Sequence, residues 1–208
     1  MNFLEPKEDC NICNRLNSYI KVQREKFPHF FNNPVKGIGS LESELLIVGL
    51  APGLKGANRT GIPFTGDYSG MLLMSNLKKI KFIKKNETFN ENMKIRITNS
   101  IKCLPPKNKP TSTELKNCNK FLSSEIKVMK NLKIILSIGL IAHQSVLSVF
   151  KKKRCDFKFK HLFVHQLDKN TKMINSYHCS KYNILTKRLS EVEFEKVFLK
   201  LNRELVIF

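Results

Sequence analysis

Hydrophobic positions in this chain fall into short unbroken runs, separated by longer stretches in which apolar residues recur at helical spacing. Glu44 to Gly49 (ELLIVG) is almost wholly apolar and ends in glycine, as a strand buried on both faces of a parallel sheet should. Similar runs stand at Ile95 to Asn99, Lys133 to Ile138 (KIILSI), His161 to His165 and Met173 to Ser176. Between them, helical patterns occupy Ser69 to Lys79, Thr113 to Asn131, Ile141 to Phe150 and Leu185 to Leu201, and another helix over Asn11 to Lys26 precedes the first strand. Strands spaced by helices predict an α/β fold with a parallel sheet covered on both faces. No internal repeat is visible, and low complexity is confined to lysine clusters at Lys78 to Lys85 and Lys151 to Arg154.

With 208 residues, 41% of them hydrophobic, the chain can bury one sizeable core, so a single domain over residues 1–208 is expected. No apolar run approaches a membrane span, and MNFLEPKEDC lacks the charged start and apolar centre of a secretory signal. A cytoplasmic, reducing location is therefore expected, which argues against a disulfide framework. The formal net charge of +20, from 37 Lys and Arg against 17 Asp and Glu, favours a polyanionic partner. Nucleic acid is preferred over a membrane surface because no segment shows a basic amphipathic pattern.

Four cysteines read as one ligand set: Cys10 and Cys13 in a C-x2-C pair, then Cys103 and Cys118. Zinc sites usually join two close pairs, and here only the first pair is close, so the spacing tilts towards an iron-sulfur cluster while leaving zinc open. The plainer alternative is a set of buried free thiols, against which the close pair in a chain without a secretory signal argues. Cys155 and Cys179 lie outside the pattern and read as ordinary thiols.

Ligands of parallel sheets gather at the carboxyl ends of the strands. The loop after the first strand, Leu50 to Gly70 (LAPGLKGANRTGIPFTGDYSG), is glycine-rich and polar, and it lacks both G-K-[ST] and G-x-G-x-x-G, which removes the two common nucleotide fingerprints. A second candidate is the turn after the last strand, Ser176 to Leu189 (SYHCSKYNILTKRL), where His178 stands just beyond the strand. A lone histidine there is more often a hydrogen-bonded structural residue than a catalytic one.

GLAPGLKGANRTGIPFTGDYSG (Gly49 to Gly70) resembles the first motif region of the uracil-DNA glycosylase superfamily, specifically its type-5 branch. SYHCSKYNILTKRL is similar to that branch's second motif region, and IKCLPPKNKPT with Cys118 resembles its cluster-binding segment, so the match runs in order from Cys10 to about Leu189. The resemblance implies a three-layer αβα sandwich around a central four-stranded parallel sheet, with residues 1–26 contributing the first cluster cysteines. It also implies a structural [4Fe-4S] cluster held by Cys10, Cys13, Cys103 and Cys118. The implied activity is hydrolysis of the N-glycosidic bond of uracil in DNA, extended to hypoxanthine and xanthine as other deaminated bases, by a monomeric enzyme that does not cut the strand.

The type-4 branch has Glu where this chain has Ala51, and other branches have Asn or Asp; alanine cannot position water, so the resemblance moves the catalytic carboxylate to Asp67 of F-T-G-D. Asp67 would stabilise positive charge on the sugar and orient water, and His178 would donate a hydrogen bond to the departing base. The competing reading of Asp67 is a helix N-cap. Phe64 is the candidate to stack on a flipped base, against a plain core role. Asn108, in PPKN, is favoured to read the base edge, with Asn99 kept as its competitor. Asn183 would contact substrate or brace its loop, and Ala51 would leave a roomier pocket. Gly53, Gly56 and Gly61 would let backbone approach DNA, while Lys181 and Arg188 would meet phosphates. Three alternatives remain: a type-4-like enzyme restricted to uracil, a noncatalytic nucleic-acid-binding protein with a structural metal, and an electron-transfer protein. The second would not need Asp67 or His178, and the third would have no use for the Phe64 to Asp67 loop.

Overall fold

The computed structural model describes residues 3–206. Five strands form one sheet in the order β2-β1-β3-β5-β4: β1 (Leu45–Gly49), β2 (Arg96–Asn99), β3 (Ile134–Ile138), β4 (Val164–Gln166) and β5 (Lys172–Ser176). β1 pairs in parallel with β2 and β3, and β3 in parallel with β5. The four-stranded, wholly parallel expectation is therefore corrected: β4 adds a fifth strand that runs antiparallel to β5. Five residues, 167–171, separate those two strands. Such a connection can close a hairpin, but it is too short for the crossover that parallel pairing requires.

The central strands are buried at every position, because helices cover both faces. Leu45 and Ile47 of β1 join a core with Leu73 and Leu77 of α3 (Tyr68–Lys79) and Phe194 and Phe198 of α7 (Glu191–Val206). Leu46 and Val48 point the other way, into a core with Leu122 of α4 (Ser112–Val128) and Val146 of α5 (Leu140–Val149). Three layers result.

The C-terminal helical pattern also needs correction, since Leu185 to Leu201 is not one helix. A short α6 (Lys181–Leu185) ends, the chain turns through Lys187 at φ 56°, and α7 begins afresh. Ser190 supplies the new start: its hydroxyl accepts from the Glu193 N–H at 3.1 Å, and the Glu193 carboxylate accepts from the Ser190 N–H at 2.7 Å. The loop after β1 contains an unforeseen helical turn, α2 (Ala57–Thr60). At the N-terminus, α1 (Asn14–Lys26) starts just after Cys13 and leaves Cys10 in the preceding turn.

Candidate active site

The carboxyl ends of β1, β2 and β5 feed their loops into one cleft of about 720 Å³. Asp67 stands at its wall as the N-cap of α3, where its Oδ1 accepts from the Gly70 N–H at 2.9 Å. The other carboxylate oxygen, Oδ2, lies over Gly56, where any Cβ would overlap it. Capping and exposure to the cleft thus coexist in one side chain. Gly56 is buried and faces Asp67 rather than an outside ligand, and Gly61 packs against Phe31.

Asn99 ends β2 at the cleft floor and is 3% exposed. Phe64, in the loop after β1, adopts φ 52° and is largely buried, so it also has the core contacts of the plainer reading. Its ring and the Asn99 Oδ1 both crowd the space above Gly49, so that glycine admits an aromatic face and an amide side by side. Ala51 and Gly53 line the same cleft. Asn108 does too, from the exposed 3-10 turn Pro106–Asn108, where Lys107 and Asn108 both have left-handed backbone (φ 53° and 54°). The two asparagines therefore differ in depth: Asn99 is on the floor and Asn108 on the rim.

His178 faces Asp67 across the cleft, and its ring makes no hydrogen bond with another described residue. Burial holds its imidazole below the usual histidine range, and the Asp67 carboxylate pulls only partly in the other direction. The ring is consequently neutral near pH 7, with a proton on one nitrogen available to donate. Asn183 braces this turn: its amide donates to the His178 carbonyl at 2.7 Å, and its backbone N–H donates to the Ser180 hydroxyl, the N-cap of α6. Lys181 is exposed on the cleft rim, whereas Arg188 lies outside it in an adjoining groove. Sequence reasoning did not foresee Tyr68 and Tyr182, which also line the cleft. Tyr68 is held by its hydroxyl donating to Glu191 at 2.5 Å. Its signal was hidden because tyrosine at the start of a helix is unremarkable without the partner from α7.

Cys10, Cys13, Cys103 and Cys118 line one small apolar pocket together with Leu16 and Phe121. Burial pushes the Cys118 thiol up to about 11 and raises Cys103 further, the neighbouring cysteine sulfurs adding to the rise at Cys103. The Lys102 backbone N–H donates to the Cys118 sulfur at 3.3 Å and the Asn117 amide to the Cys13 sulfur at 3.7 Å. These are the donors that stabilise bound thiolates. Among the described residues no three His, Cys, Asp or Glu side chains converge on a single ion position. Four soft donors around an apolar pocket, with N–H groups aimed at two of them, fit an iron-sulfur cluster in number and chemistry.

Behind this pocket lies a charge network that the sequence did not reveal. Glu125 receives Arg96 at 2.7 Å and Lys102 at 3.2 Å, all three nearly fully buried, and Lys102 also donates to Thr98. Arg96 further donates to the Gly39 carbonyl at 2.6 Å. The network clamps α4 to β2 and to the segment that follows it, so Asn99 and Cys103 are fixed by one set of contacts.

The Uracil DNA glycosylase superfamily model matches residues 36–205. A type-5 uracil-DNA glycosylase of Thermus thermophilus is 31% identical over 97% of this chain and 96% of its own length. One of Mycobacterium leprae is 34% identical over 91% of this chain and 88% of its own. A type-4 uracil-DNA glycosylase of Sulfurisphaera tokodaii is 29% identical over 90% of this chain and 81% of its own. With the cleft at the strand ends and this extent of similarity, the chain belongs to the uracil DNA glycosylase superfamily.

Proposed function

We propose that this protein is a monofunctional DNA repair glycosylase that releases uracil, and also hypoxanthine and xanthine, from DNA to leave an abasic site. The observation that carries the reading is the meeting of an aromatic face, an amide, a carboxylate and a neutral imidazole in one cleft. A base inside a duplex is out of reach, so the nucleotide must be flipped out and stacked. Phe64 offers the stacking face. Asn99, deep beside that ring, is better placed than the exposed Asn108 to pair with the imide edge of uracil, and Asn108 is left to close the rim.

As the bond from C1′ to the base nitrogen breaks, its electron pair leaves with the base and positive charge grows on the sugar. The Asp67 carboxylate stabilises that cation and orients the water whose oxygen joins C1′; the water's proton passes to solvent through Asp67. His178, neutral, donates its hydrogen bond to the anionic base, which is then protonated from solvent. Ala51 leaves space beside the base, which supports acceptance of purines. Lys181 and Arg188 would hold phosphates, and Asn183 acts by bracing His178 rather than by touching substrate.

Cys10, Cys13, Cys103 and Cys118 would hold a [4Fe-4S] cluster, whose contribution is structural because four thiolates leave no open iron position. We further infer one catalytic domain, with residues 1–26 supplying two of the ligands, working as a monomer in a reducing, cytoplasmic setting. No helix among the described residues is long and apolar enough to cross a membrane. The test is base release from oligonucleotides carrying uracil, hypoxanthine or xanthine, by wild type, Asp67→Ala and His178→Ala. Wild type should release all three, and each variant should lose about 10²-fold or more. Release of uracil alone would limit the protein to the narrower substrate range, and release of none by protein with an intact visible absorption band would overturn the reading.

A further inference from the structure

The cleft continues past His178. A second groove of about 320 Å³ shares Leu50 and His178 with it and runs over the turn between β3 and α5. Leu140, Phe159, Tyr177 and Arg188 line this groove. It is mainly apolar, and Leu140 stands 48% exposed in it, a large side chain left facing outward beside the active site. At the polar end, the Arg188 guanidinium sits over the Tyr177 ring, 5.9 Å from its centroid. Arg188 has no salt-bridge partner among the described residues.

Phe159 reaches the groove from the segment 157–161, where burial alternates: Phe157, Phe159 and His161 are half-buried, and Lys158 and Lys160 are exposed. That segment is fastened to the fold. His143 Nε2 lies 2.9 Å from the Phe157 carbonyl and His165 Nε2 lies 3.2 Å from the Lys158 carbonyl. The Phe159 ring packs on His143 and Tyr177, at centroid distances of 5.4 and 5.8 Å. Lys158 and Lys160, like Arg188, have no ion-pair partner among the described residues.

We propose that this groove is the subsite for the nucleotide adjoining the excised one on the same DNA strand. Its base lies against Leu140 and Phe159, and the phosphate that joins it to the flipped nucleotide is held by Arg188. Lys158 and Lys160 meet phosphates further along. This subsite rests on the glycosylase reading of the cleft, because the groove is a continuation of that cleft. A volume of this size suits a small flat ligand, and stacking on an aromatic and an aliphatic side chain tolerates any base identity.

The test uses single-stranded oligonucleotides in which the residue on the 5′ or the 3′ side of uracil is an abasic spacer. Base-release kcat/KM should fall about tenfold in wild type when the neighbouring base is missing on one side, and not on the other. Phe159→Ala should abolish that difference. Leu140→Ala, at a half-exposed position that leaves the core intact, should reduce it in the same direction, and Arg188→Gln should lower the slope of log affinity against log salt by about 0.7. Equal losses on the two sides, or a one-sided loss unchanged in both the Phe159 and Leu140 variants, would overturn the subsite. Failure of wild type to release uracil from any of these strands would instead strike the glycosylase reading itself.

Discussion

Asp67 divides its work between its two oxygens, one closing the first turn of α3 and the other facing the cleft over Gly56. Asparagine also caps helices well, whereas alanine does not. Asp67→Asn should therefore keep the thermal midpoint within about a degree while losing about 10²-fold in base release, because only the charge is removed. Asp67→Ala should show the same catalytic loss together with a fall of about 1 kcal/mol in stability, measured by denaturant unfolding. Equal stability of the two variants would mean that the cap contributes nothing. At this scale the position of the cleft-lining residues was legible in the sequence, since FTGD closes the long loop after the first strand-like run and His178 stands two residues beyond the last. Depth was not legible. Asn99 and Asn108 each follow a recognisable landmark, and only the burial of the β2 end beneath Phe64 separates the floor from the rim.

Among the elements, the link between α1 and α4 bears most on the cysteine pocket. Glu114 completes the capping box of α4 with Thr111 and also takes a two-pronged contact from Arg15 of α1, at 2.8 and 2.7 Å. Those donors hold its carboxyl below the usual range despite burial. Glu114→Ala removes cap and bridge together and should cost about 1–2 kcal/mol. In protein carrying the proposed cluster it should also hasten bleaching of the visible band by a chelator, because Cys13 lies at the start of α1. An unchanged bleaching rate would show that α1 is held to the pocket by other contacts. Helix positions were largely readable from apolar spacing, because amphipathic faces leave a periodic trace. The antiparallel course of β4 was not read, although the five-residue connection to β5 contained the answer. The merged C-terminal helix was likewise divisible at Ser190 and Glu193, whose capping signal is local and was overshadowed by the apolar periodicity around it.

For the whole molecule, four histidines share one electrostatic circumstance. Burial holds His143, His161, His165 and His178 below the ordinary histidine range. Each binds a proton less readily in the fold than in the unfolded chain, so their contribution is fully present above the unfolded pKa of about 6.5 and is lost as pH falls through the lower folded values. The thermal midpoint should accordingly drop between about pH 7 and about pH 5, with the visible band of the proposed cluster followed in parallel so that its loss is distinguished from histidine protonation. A flat profile would contradict the depressed values. The net charge of +20 pointed correctly to a polyanion-binding family, yet composition could not say where on the surface the free cations lie. Gly49, finally, bears on how this protein can change over time. Any side chain there would meet both the Phe64 ring and the Asn99 amide, so a substitution at that position would disturb the proposed stacking face and the proposed base-reading group together. Substitutions that reshape the cleft without moving Phe64 or Asn99 are open instead at positions that enter from the loops, such as Ala51 and Lys107 to Lys109.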